Sequence, residues 1–195
     1  MLRMLEDYRG IDIYLLDQML KGRINSTMRI LDAGCGRGRN VRYLLKNNFD
    51  VYAIDENLEY IEELLSDFPP YREKIKHARI EEFSIDLSFD IIICNAVLHF
   101  ARNHVHFDEM FKSLFQLLSK GGILFIRMTS NIGLNYSPLS AGDGVYYLRD
   151  DTERYLLTEE KIVEIQRKFG LEKIEPVKSV VVEGMRSMTT WVVMK

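Results

Sequence analysis

Residues 29–40 read Arg-Ile-Leu-Asp-Ala-Gly-Cys-Gly-Arg-Gly-Arg-Asn. In this segment an apolar run ends at Asp32, and Gly34, Gly36 and Gly38 follow at alternate positions just before a helical pattern. Glycine has no Cβ and tolerates positive φ, so a bound molecule can approach the backbone of such a turn closely. The free N–H groups at the start of a helix favour an anionic part of that molecule. The segment therefore predicts a strand that leads through a ligand-binding loop into a helix.

Strand-like runs alternate with helical patterns along most of the chain. Strands are predicted over residues 29–33, 51–54, 75–80, 90–94 and 123–128, and helices over residues 39–47, 58–68, 107–118 and 159–169. Strands that alternate with helices form a parallel sheet through crossover connections. Two final strand-like runs, about residues 171–182 and 189–194, are joined only by residues 183–187, and so short a connection requires an antiparallel pair. The predicted fold is a doubly wound α/β domain with a mostly parallel sheet and an antiparallel C-terminal strand.

Length and composition indicate one globular domain. It covers residues 1–195, and residues 1–27 are expected to form a helical cover. The net charge of −3 carries no signature of nucleic-acid binding. The longest apolar stretch, residues 89–101, is too short to cross a membrane. Cys35 and Cys94 fit reduced thiols, so we expect a cytoplasmic protein with neither a nucleic-acid nor a membrane partner.

Residues 131–157 contain many tyrosines and glycines and have no clean periodicity. Long irregular segments in compact domains are often functional, and this one follows the fifth strand at the edge where open α/β sheets bind ligands. We interpret it as a substrate-side loop or lid, with an ordinary surface excursion as the alternative. Candidate substrate contacts are Tyr146, Tyr147 and Arg149 in this segment and Tyr8 in the N-terminal segment.

Asp55 ends the second predicted strand and so lies beside the glycine loop at the same sheet edge. An acid about 20 residues beyond such a loop can accept hydrogen bonds from both ribose hydroxyls of a nucleoside. Asp55 also precedes a helical pattern, so a helix-capping role is the alternative. The two roles are compatible, and ribose binding is the preferred interpretation.

Residues 31–38 (Leu-Asp-Ala-Gly-Cys-Gly-Arg-Gly) closely resemble motif I of class I S-adenosylmethionine (AdoMet)-dependent methyltransferases. A dinucleotide-binding loop has the spacing G-x-G-x-x-G, whereas the third glycine here comes one position earlier. Residues 53–55, 89–99, 119–122 and 158–171 are similar to later motifs of the family, although the turn at 119–122 lacks the usual proline. The Gly-Arg-Asn ending of the loop is similar to tellurite-resistance-type methyltransferases.

The resemblance implies a Rossmann-like seven-stranded sheet with AdoMet as cofactor and S-adenosylhomocysteine as product. By the family's pattern, Asp32 lies near the amino group of the methionyl part, Asp55 holds the ribose, and Asn95 and Ala96 contact the sulfonium end. The cofactor-binding residues implied in this way are Asp32, Gly34, Cys35, Gly36, Asp55, Glu56, Arg79, Ile80, Asn95 and Ala96.

The segment after the third strand departs from the family pattern. Relatives usually carry an Asp there whose side chain meets the adenine amino group, but residues 77–82 read His-Ala-Arg-Ile-Glu-Glu. The resemblance therefore leaves two interpretations open. Backbone groups of Arg79 and Ile80 contact the adenine, or Glu81 substitutes for the missing Asp.

Methyl transfer makes modest demands on side chains, because the sulfonium is already an activated leaving group. In-line alignment and exclusion of water can supply much of the acceleration, and a base is needed only for an acceptor that is protonated at neutral pH. His99 follows the fourth strand and is the candidate catalytic base or substrate contact, with a packed, hydrogen-bonded histidine as the alternative. His104 and His106 lie near it, but no acidic or Cys ligand completes a recognised metal-binding spacing, so no metal is expected.

We therefore predict an AdoMet-dependent methyltransferase that acts on a small molecule by direct SN2 transfer. A non-catalytic AdoMet-binding regulatory module is the alternative from another class, because binding motifs do not prove turnover. A nicotinamide-dependent oxidoreductase is the alternative within enzymes, and the spacing of the glycines disfavours it.

Overall fold

The computed structural model describes residues 10–195, so the candidate contact Tyr8 lies outside the described residues. The helices in this part of the chain are α1 (Ile13–Leu20), α2 (Val41–Lys46), α3 (Leu58–Asp67), α4 (His104–Leu117) and α5 (Glu159–Phe169). The strands are β1 (Arg29–Ala33), β2 (Asp50–Asp55), β3 (Ile75–His77), β4 (Phe89–Asn95), β5 (Leu118–Ser130), β6 (Leu139–Gly142), β7 (Val145–Tyr147), β8 (Glu153–Tyr155), β9 (Glu172–Lys173), β10 (Lys178–Val182) and β11 (Arg186–Met194). Single turns of 3₁₀ helix follow α3 at Pro69–Tyr71 and β4 at Leu98–Phe100.

The main sheet has the strand order β10-β11-β5-β4-β1-β2-β3, and β9 pairs with one end of β11. The pairs β4–β5, β1–β4, β1–β2 and β2–β3 are parallel. In contrast, β11 runs antiparallel to both β5 and β10. The predicted fold class is thereby confirmed, and the sheet has eight strands instead of seven because the two-residue strand β9 joins it.

Helices cover both faces of the sheet. On one face, Leu31 and Ile92 pack in a cluster with Phe111 of α4 and Ile165 of α5. On the other face, the second cluster buries the side chains of α1, α2 and α3 that point inward, together with alternate residues of the central strands. Because both faces are covered, the centre of β4 is a run of three consecutive isoleucines, as is usual for a buried parallel strand. The result is a three-layer α/β/α arrangement.

Several boundaries differ from those predicted. The third strand was expected over residues 75–80 but ends at His77, so residues 78–80 are not part of the strand. The fifth strand was expected over residues 123–128 but runs from Leu118 to Ser130. Its extension has a partner: Gly121 N–H donates to the Lys195 carbonyl (2.7 Å), and Lys195 N–H donates to the Gly122 carbonyl (3.0 Å). Residue 195 therefore pairs with both glycines, and Gly121 has φ +77°, a backbone conformation that favours glycine.

Residues 131–157 were predicted as an irregular segment, but they contain the small antiparallel sheet β6-β7-β8. A bridge between Ser130 and Leu157 ties the end of this segment to β5. Gly144 has φ +83°, and a Cβ there would lie 2.4 Å from Tyr155, so the turn between β6 and β7 packs directly on β8. Within residues 10–195, no helix is both long and apolar enough to cross a membrane.

Candidate active site

The site lies where the strand order reverses, because β1 has β2 on one side and β4 on the other. Open α/β sheets bind ligands at the carboxyl edge of such a point. A cavity of 580 Å³ opens there. Every predicted cofactor residue except Asp32 lines it, namely Gly34, Cys35, Gly36, Asp55, Glu56, Arg79, Ile80, Asn95 and Ala96.

The glycine loop is shaped by contacts on both sides. The N–H groups of Gly34 and Cys35 both donate to the Ile54 carbonyl at 2.9 Å, which folds the loop over the end of β2. A Cβ on Gly34 (φ +81°) would lie 2.2 Å from Val97, so the loop can approach the segment after β4 only with glycine there. A Cβ on Gly36 (φ +54°) would meet no protein atom within 4 Å. Gly36 therefore leaves open the space of the cavity that a side chain would fill.

Asp55 connects the loop to the end of β2. Gly36 N–H donates to its Oδ2 at 2.7 Å, and Asn57 N–H donates to its Oδ1 at 2.9 Å. Each carboxylate oxygen keeps a further lone pair for another donor. Asn57, and not Asp55, is the N-cap of α3, since its side chain accepts from Tyr60 N–H.

The end of β4 closes the cavity opposite Asp55. Ala96 has φ +63°, a conformation that is strained for a residue with a Cβ, and its N–H donates to the Arg127 carbonyl at 2.7 Å. The side-chain amide of Asn95 has neither its oxygen nor its nitrogen paired within residues 10–195. A strained backbone and an unpaired amide at one strand end are typical of a ligand site.

Asp32 precedes Gly34 by two residues, lies outside the cavity lining and is 1% exposed. Neither of its carboxylate oxygens has a hydrogen-bond partner among the described residues. Burial, with a smaller contribution from the charge of Asp55, raises the pKa of Asp32 to about 7. A buried carboxylate without a partner is costly, and an ammonium group would compensate it.

The segment after β3 forms the wall beyond Asp55. Arg79 lines the cavity and pairs with Glu56 (3.5 Å). Glu81 also lines it, and its Oε1 lies 3.1 Å from His106 Nε2. Because Arg102 N–H donates to His106 Nδ1, the remaining ring nitrogen carries the proton and donates to Glu81. Both groups suggested for adenine contact thus reach the same wall.

His99 is placed differently from the cofactor residues. It is 7% exposed and is absent from the cavity lining. Its Nδ1 lies 3.3 Å from the Thr129 N–H, which donates to it, and 3.0 Å from Thr129 Oγ1. Burial, and then the charges of Arg154 and Arg186, lower the pKa of His99 to about 3. The ring is therefore neutral, with its proton on Nε2.

Among the described residues, the other predicted substrate contacts, Tyr146, Tyr147 and Arg149, also lie outside the cavity lining. Tyr146 and Tyr147 belong to β7. The Arg149 guanidinium lies over the Tyr136 ring, 4.0 Å from its centroid. Burial raises the pKa of the Cys35 thiol, which keeps it protonated and argues against a nucleophilic role. Within residues 10–195, no group of His, Cys, Asp and Glu side chains is arranged to hold a metal ion.

A cluster of hydrogen bonds and ion pairs around the buried Asp12, here called the Asp12 latch, connects α1 to the glycine loop and was not predicted from the sequence. Asp12 caps α1, and its Oδ2 lies 3.3 Å from Arg39 and 3.3 Å from Arg127. Asp12 N–H donates to Asn40 Oδ1 (3.1 Å), and Arg39 Nε donates to the Gly10 carbonyl (2.6 Å). Arg39 and Asn40 also line the cavity. A capping signal at Asp12 is visible in the sequence, whereas its two arginine partners are not.

The comparisons with known proteins agree with this geometry. A family model described as "Methyltransferase domain" matches residues 9–175. The tRNA N(3)-cytidine methyltransferase METTL2 of Danio rerio is 29% identical over an alignment of 170 residues, and the match covers 77% of this chain and 47% of that protein. The chain thus spans about half the length of this curated relative.

Two solved structures show the same fold. An S-adenosylmethionine-dependent methyltransferase from Clostridium acetobutylicum has a TM-score of 0.69 at 17% identity, covering 96% of this chain and 91% of its own. The 1,6-didemethyltoxoflavin-N1-methyltransferase of Burkholderia thailandensis, solved with S-adenosylhomocysteine, has a TM-score of 0.64 at 19% identity, covering 86% and 71%.

The chain belongs to the methyltransferase-domain family, and its fold is that of the class I AdoMet-dependent methyltransferases. Structures with this fold are named for S-adenosylmethionine or were solved with S-adenosylhomocysteine, so AdoMet is the cofactor to compare with the site. The site's own chemistry fits this cofactor: Asp32 offers an unpaired carboxylate for an ammonium group, and Asp55 keeps lone pairs for hydroxyl groups. Gly36 leaves the intervening space free of side-chain atoms.

Proposed function

We propose that this chain catalyses methyl transfer from AdoMet to a small-molecule acceptor by direct SN2 displacement, with S-adenosylhomocysteine as product. The observation that carries the proposal is the single cavity in which the glycine loop, Asp55 and the strained end of β4 meet. AdoMet supplies a methyl group on a sulfonium, which is an activated leaving group.

The residues of the chain bind and align. Asp55, held by Gly36, accepts from the ribose hydroxyls, and Asp32 compensates the ammonium group of the methionyl part. The backbone at Asn95 and Ala96 faces the sulfonium end. Val97 and Phe100, which also line the cavity, exclude water from the transfer. Alignment and the exclusion of water supply the acceleration, and His99, which lies outside the cavity lining, supports the site by packing edge-on against Phe100.

A small acceptor is supported by the net charge of −3 and by the small sheet β6-β7-β8, which we propose forms the acceptor-side wall. A tRNA acceptor is the competing possibility, because METTL2, 29% identical to the chain, is named for tRNA. Unpaired, buried Cys35 and Cys94 support a cytoplasmic location, which cell fractionation tests.

Two measurements test the proposed function. Calorimetry with AdoMet, S-adenosylhomocysteine and NAD should show binding of the first two, and preferential binding of NAD would contradict the proposal. Radiolabelled AdoMet is then supplied with a metabolite extract or with total tRNA. Label in small molecules supports the proposal. Label in tRNA alone would mean that the acceptor is tRNA and not a small molecule. Binding of AdoMet without transfer to either supports a regulatory module.

A further inference from the structure

The part of the cavity beyond the end of β4 carries an exposed aromatic ring. Phe100 lines the cavity and is 56% exposed. It ends the 3₁₀ turn Leu98–Phe100, which directly follows Ala96 and Val97. This position lies on the acceptor side of the proposed sulfonium contact. An exposed large apolar side chain in a concave site usually contacts a ligand.

One guanidinium group, from outside the cavity lining, contacts this ring, and a second arginine lines the cavity. Arg154 of β8 lies over it, with Cζ 4.8 Å from the ring centroid. Arg102 follows it by two residues and lines the cavity. The neutral imidazole of His99 packs edge-on against the same ring, with centroids 4.5 Å apart. We name the surface formed by Phe100, Arg102 and Arg154 the Phe100 platform.

In the described part of the chain, the arginines of the platform lack ion-pair partners, whereas the other charged side chains that line the cavity are held by protein contacts. Glu56 pairs with Arg79, and Glu81 accepts a hydrogen bond from the neutral His106 ring. Asp55 accepts from two backbone N–H groups. The basic residues of the glycine loop are also paired, with Glu59, Glu63 and Asp12.

Within residues 10–195, neither platform arginine has a carboxylate partner. Arg154 Nη1 donates only to the Glu153 carbonyl (2.7 Å), and Arg102 donates to His106 Nδ1 through its backbone N–H. In the segment that contains β8, Asp143 lies 3.7 Å from His104, and Asp150 pairs with Arg186 (3.1 Å). Phe100 is an exposed aromatic ring with one arginine stacked on it and a second in the same cavity lining, and neither arginine has a carboxylate partner among the described residues. This arrangement forms a site for a planar anion, because Arg binds carboxylate and phosphate in a bidentate manner and stacks on flat groups.

We propose that the methyl acceptor is a planar aromatic molecule with an anionic substituent, a carboxylate or a phosphate, bound on the Phe100 platform. The proposal rests on the methyltransferase function proposed above and names the chemical class of its acceptor. The ring of the acceptor packs against Phe100, and its anionic group pairs with Arg102 and Arg154. The acceptor thereby enters next to Ala96.

The test uses the full chain and two probe pairs, benzoate against benzamide and phenyl phosphate against phenol, titrated by NMR with and without S-adenosylhomocysteine. The anion of at least one pair should bind about 10-fold more tightly than its neutral partner, the factor for one hydrogen bond to a charged group. Which pair shows the larger preference distinguishes carboxylate from phosphate. Acetate and inorganic phosphate, which lack a ring, should bind more weakly than the aromatic anions.

Variants show which residues cause the preference for the anionic probe. Arg102→Ala and Arg154→Ala should each remove most of the preference for the anion, and Phe100→Leu should weaken both members of a pair. Arg167 is exposed on α5, away from the cavity lining, and Arg167→Ala is the matched control that should change nothing. Equal binding of anion and neutral partner, or a preference that survives both arginine variants, would overturn the inference.

The two proposals fail differently. If S-adenosylhomocysteine binds and the anion preference is absent, only the acceptor class is wrong. If S-adenosylhomocysteine does not bind, the methyltransferase function is wrong, and the acceptor assignment falls with it even where the platform prefers anions.

Discussion

The backbone N–H of Gly36 donates to Oδ2 of Asp55 at 2.7 Å, across 19 residues of chain. This bond joins the loop after β1 to the end of β2, so the carboxylate has one role in shaping the loop before any ligand is considered. The two most informative residues of the sequence are therefore parts of one hydrogen-bonded unit. Substitutions at either residue should affect the other.

Replacing Asp55 tests the ribose contact. Asp55→Ala removes both acceptor oxygens, and we expect AdoMet binding to weaken by about 1.5–3 kcal/mol, the range for hydrogen bonds to a charged group. Asp55→Asn keeps one acceptor oxygen and should lose less. Isothermal titration calorimetry measures both values. An unchanged Kd for Asp55→Ala would remove this residue from the site.

Gly36→Ala tests whether the open space at the loop belongs to the ligand. Gly36 and Gly170 both have positive φ (+54° and +65°), and a Cβ on either meets no protein atom within 4 Å. We expect each Ala variant to cost about 1–2 kcal/mol of folding stability, the usual penalty of the left-handed conformation. Only Gly36→Ala should also weaken AdoMet binding. Equal Kd values for the two variants in calorimetry would contradict a ligand at this position.

The buried carboxyl of Asp32 predicts a pH dependence of stability. Its pKa is raised from 3.8 to about 7 in the folded protein, first by burial and then by Asp55. The folded state thus holds the proton more tightly, so this contribution to stability is complete below pH 3.8 and is lost as the pH rises through about 7. Asp32→Asn cannot ionise. The Tm of Asp32→Asn minus the Tm of the wild type, both measured without ligand, should therefore increase as the pH is raised from about 5 to about 8.5.

Thermal unfolding followed by circular dichroism measures this difference. The comparison is made at each pH between the variant and wild type, which cancels the titration of all other groups. A difference in Tm that stays constant over the range would mean that Asp32 has an ordinary pKa.

The imidazole of His99 should not titrate near neutrality. Burial and two neighbouring arginines lower its pKa to about 3, and the Thr129 N–H directs the ring proton to Nε2. Nitrogen-15 NMR should show the Nε2–H tautomer unchanged between about pH 5 and pH 8, with His99→Gln identifying the signal. A midpoint near pH 6.5 would restore His99 as a candidate base.

The Asp12 latch should matter for stability. Asp12→Ala removes the cap of α1 and leaves Arg39 and Arg127 without their shared carboxylate. We expect a loss of about 3–5 kcal/mol, the cost of breaking a buried ion pair by removing one partner. Asp17→Ala, also on α1 but half-exposed beside Lys21 and Lys178, should cost at most about 1 kcal/mol. Urea denaturation compares the two, and similar losses would contradict a buried latch.

The sequence predicted what depends on local pattern. The glycine spacing and Asp55 predicted residues that line one cavity at the carboxyl edge of the sheet, because a strand, a turn and a helix start follow from neighbouring residues. The order of strands and helices likewise indicated the parallel sheet, and the five residues 183–187 required the antiparallel pair.

What the sequence did not show depends on distant contacts or on short elements. Arg39 and Arg127 meet at Asp12 through folding alone, since they lie far from it in sequence. The strands of β6-β7-β8 are three or four residues long, too short for a period to be recognised. Phe100 belongs to an apolar stretch that suggests core, yet it is exposed in the cavity.

The position of β11 also bears on how the chain is made. The last strand lies inside the sheet, between β10 and β5, and pairs with β5 along residues 187–194. During synthesis the N-terminal half, which includes β1, β2 and the glycine loop, leaves the ribosome first. The sheet is completed only when β11 has emerged, so a nascent chain that stalls before residue 186 leaves one edge of β5 open to pairing with other chains.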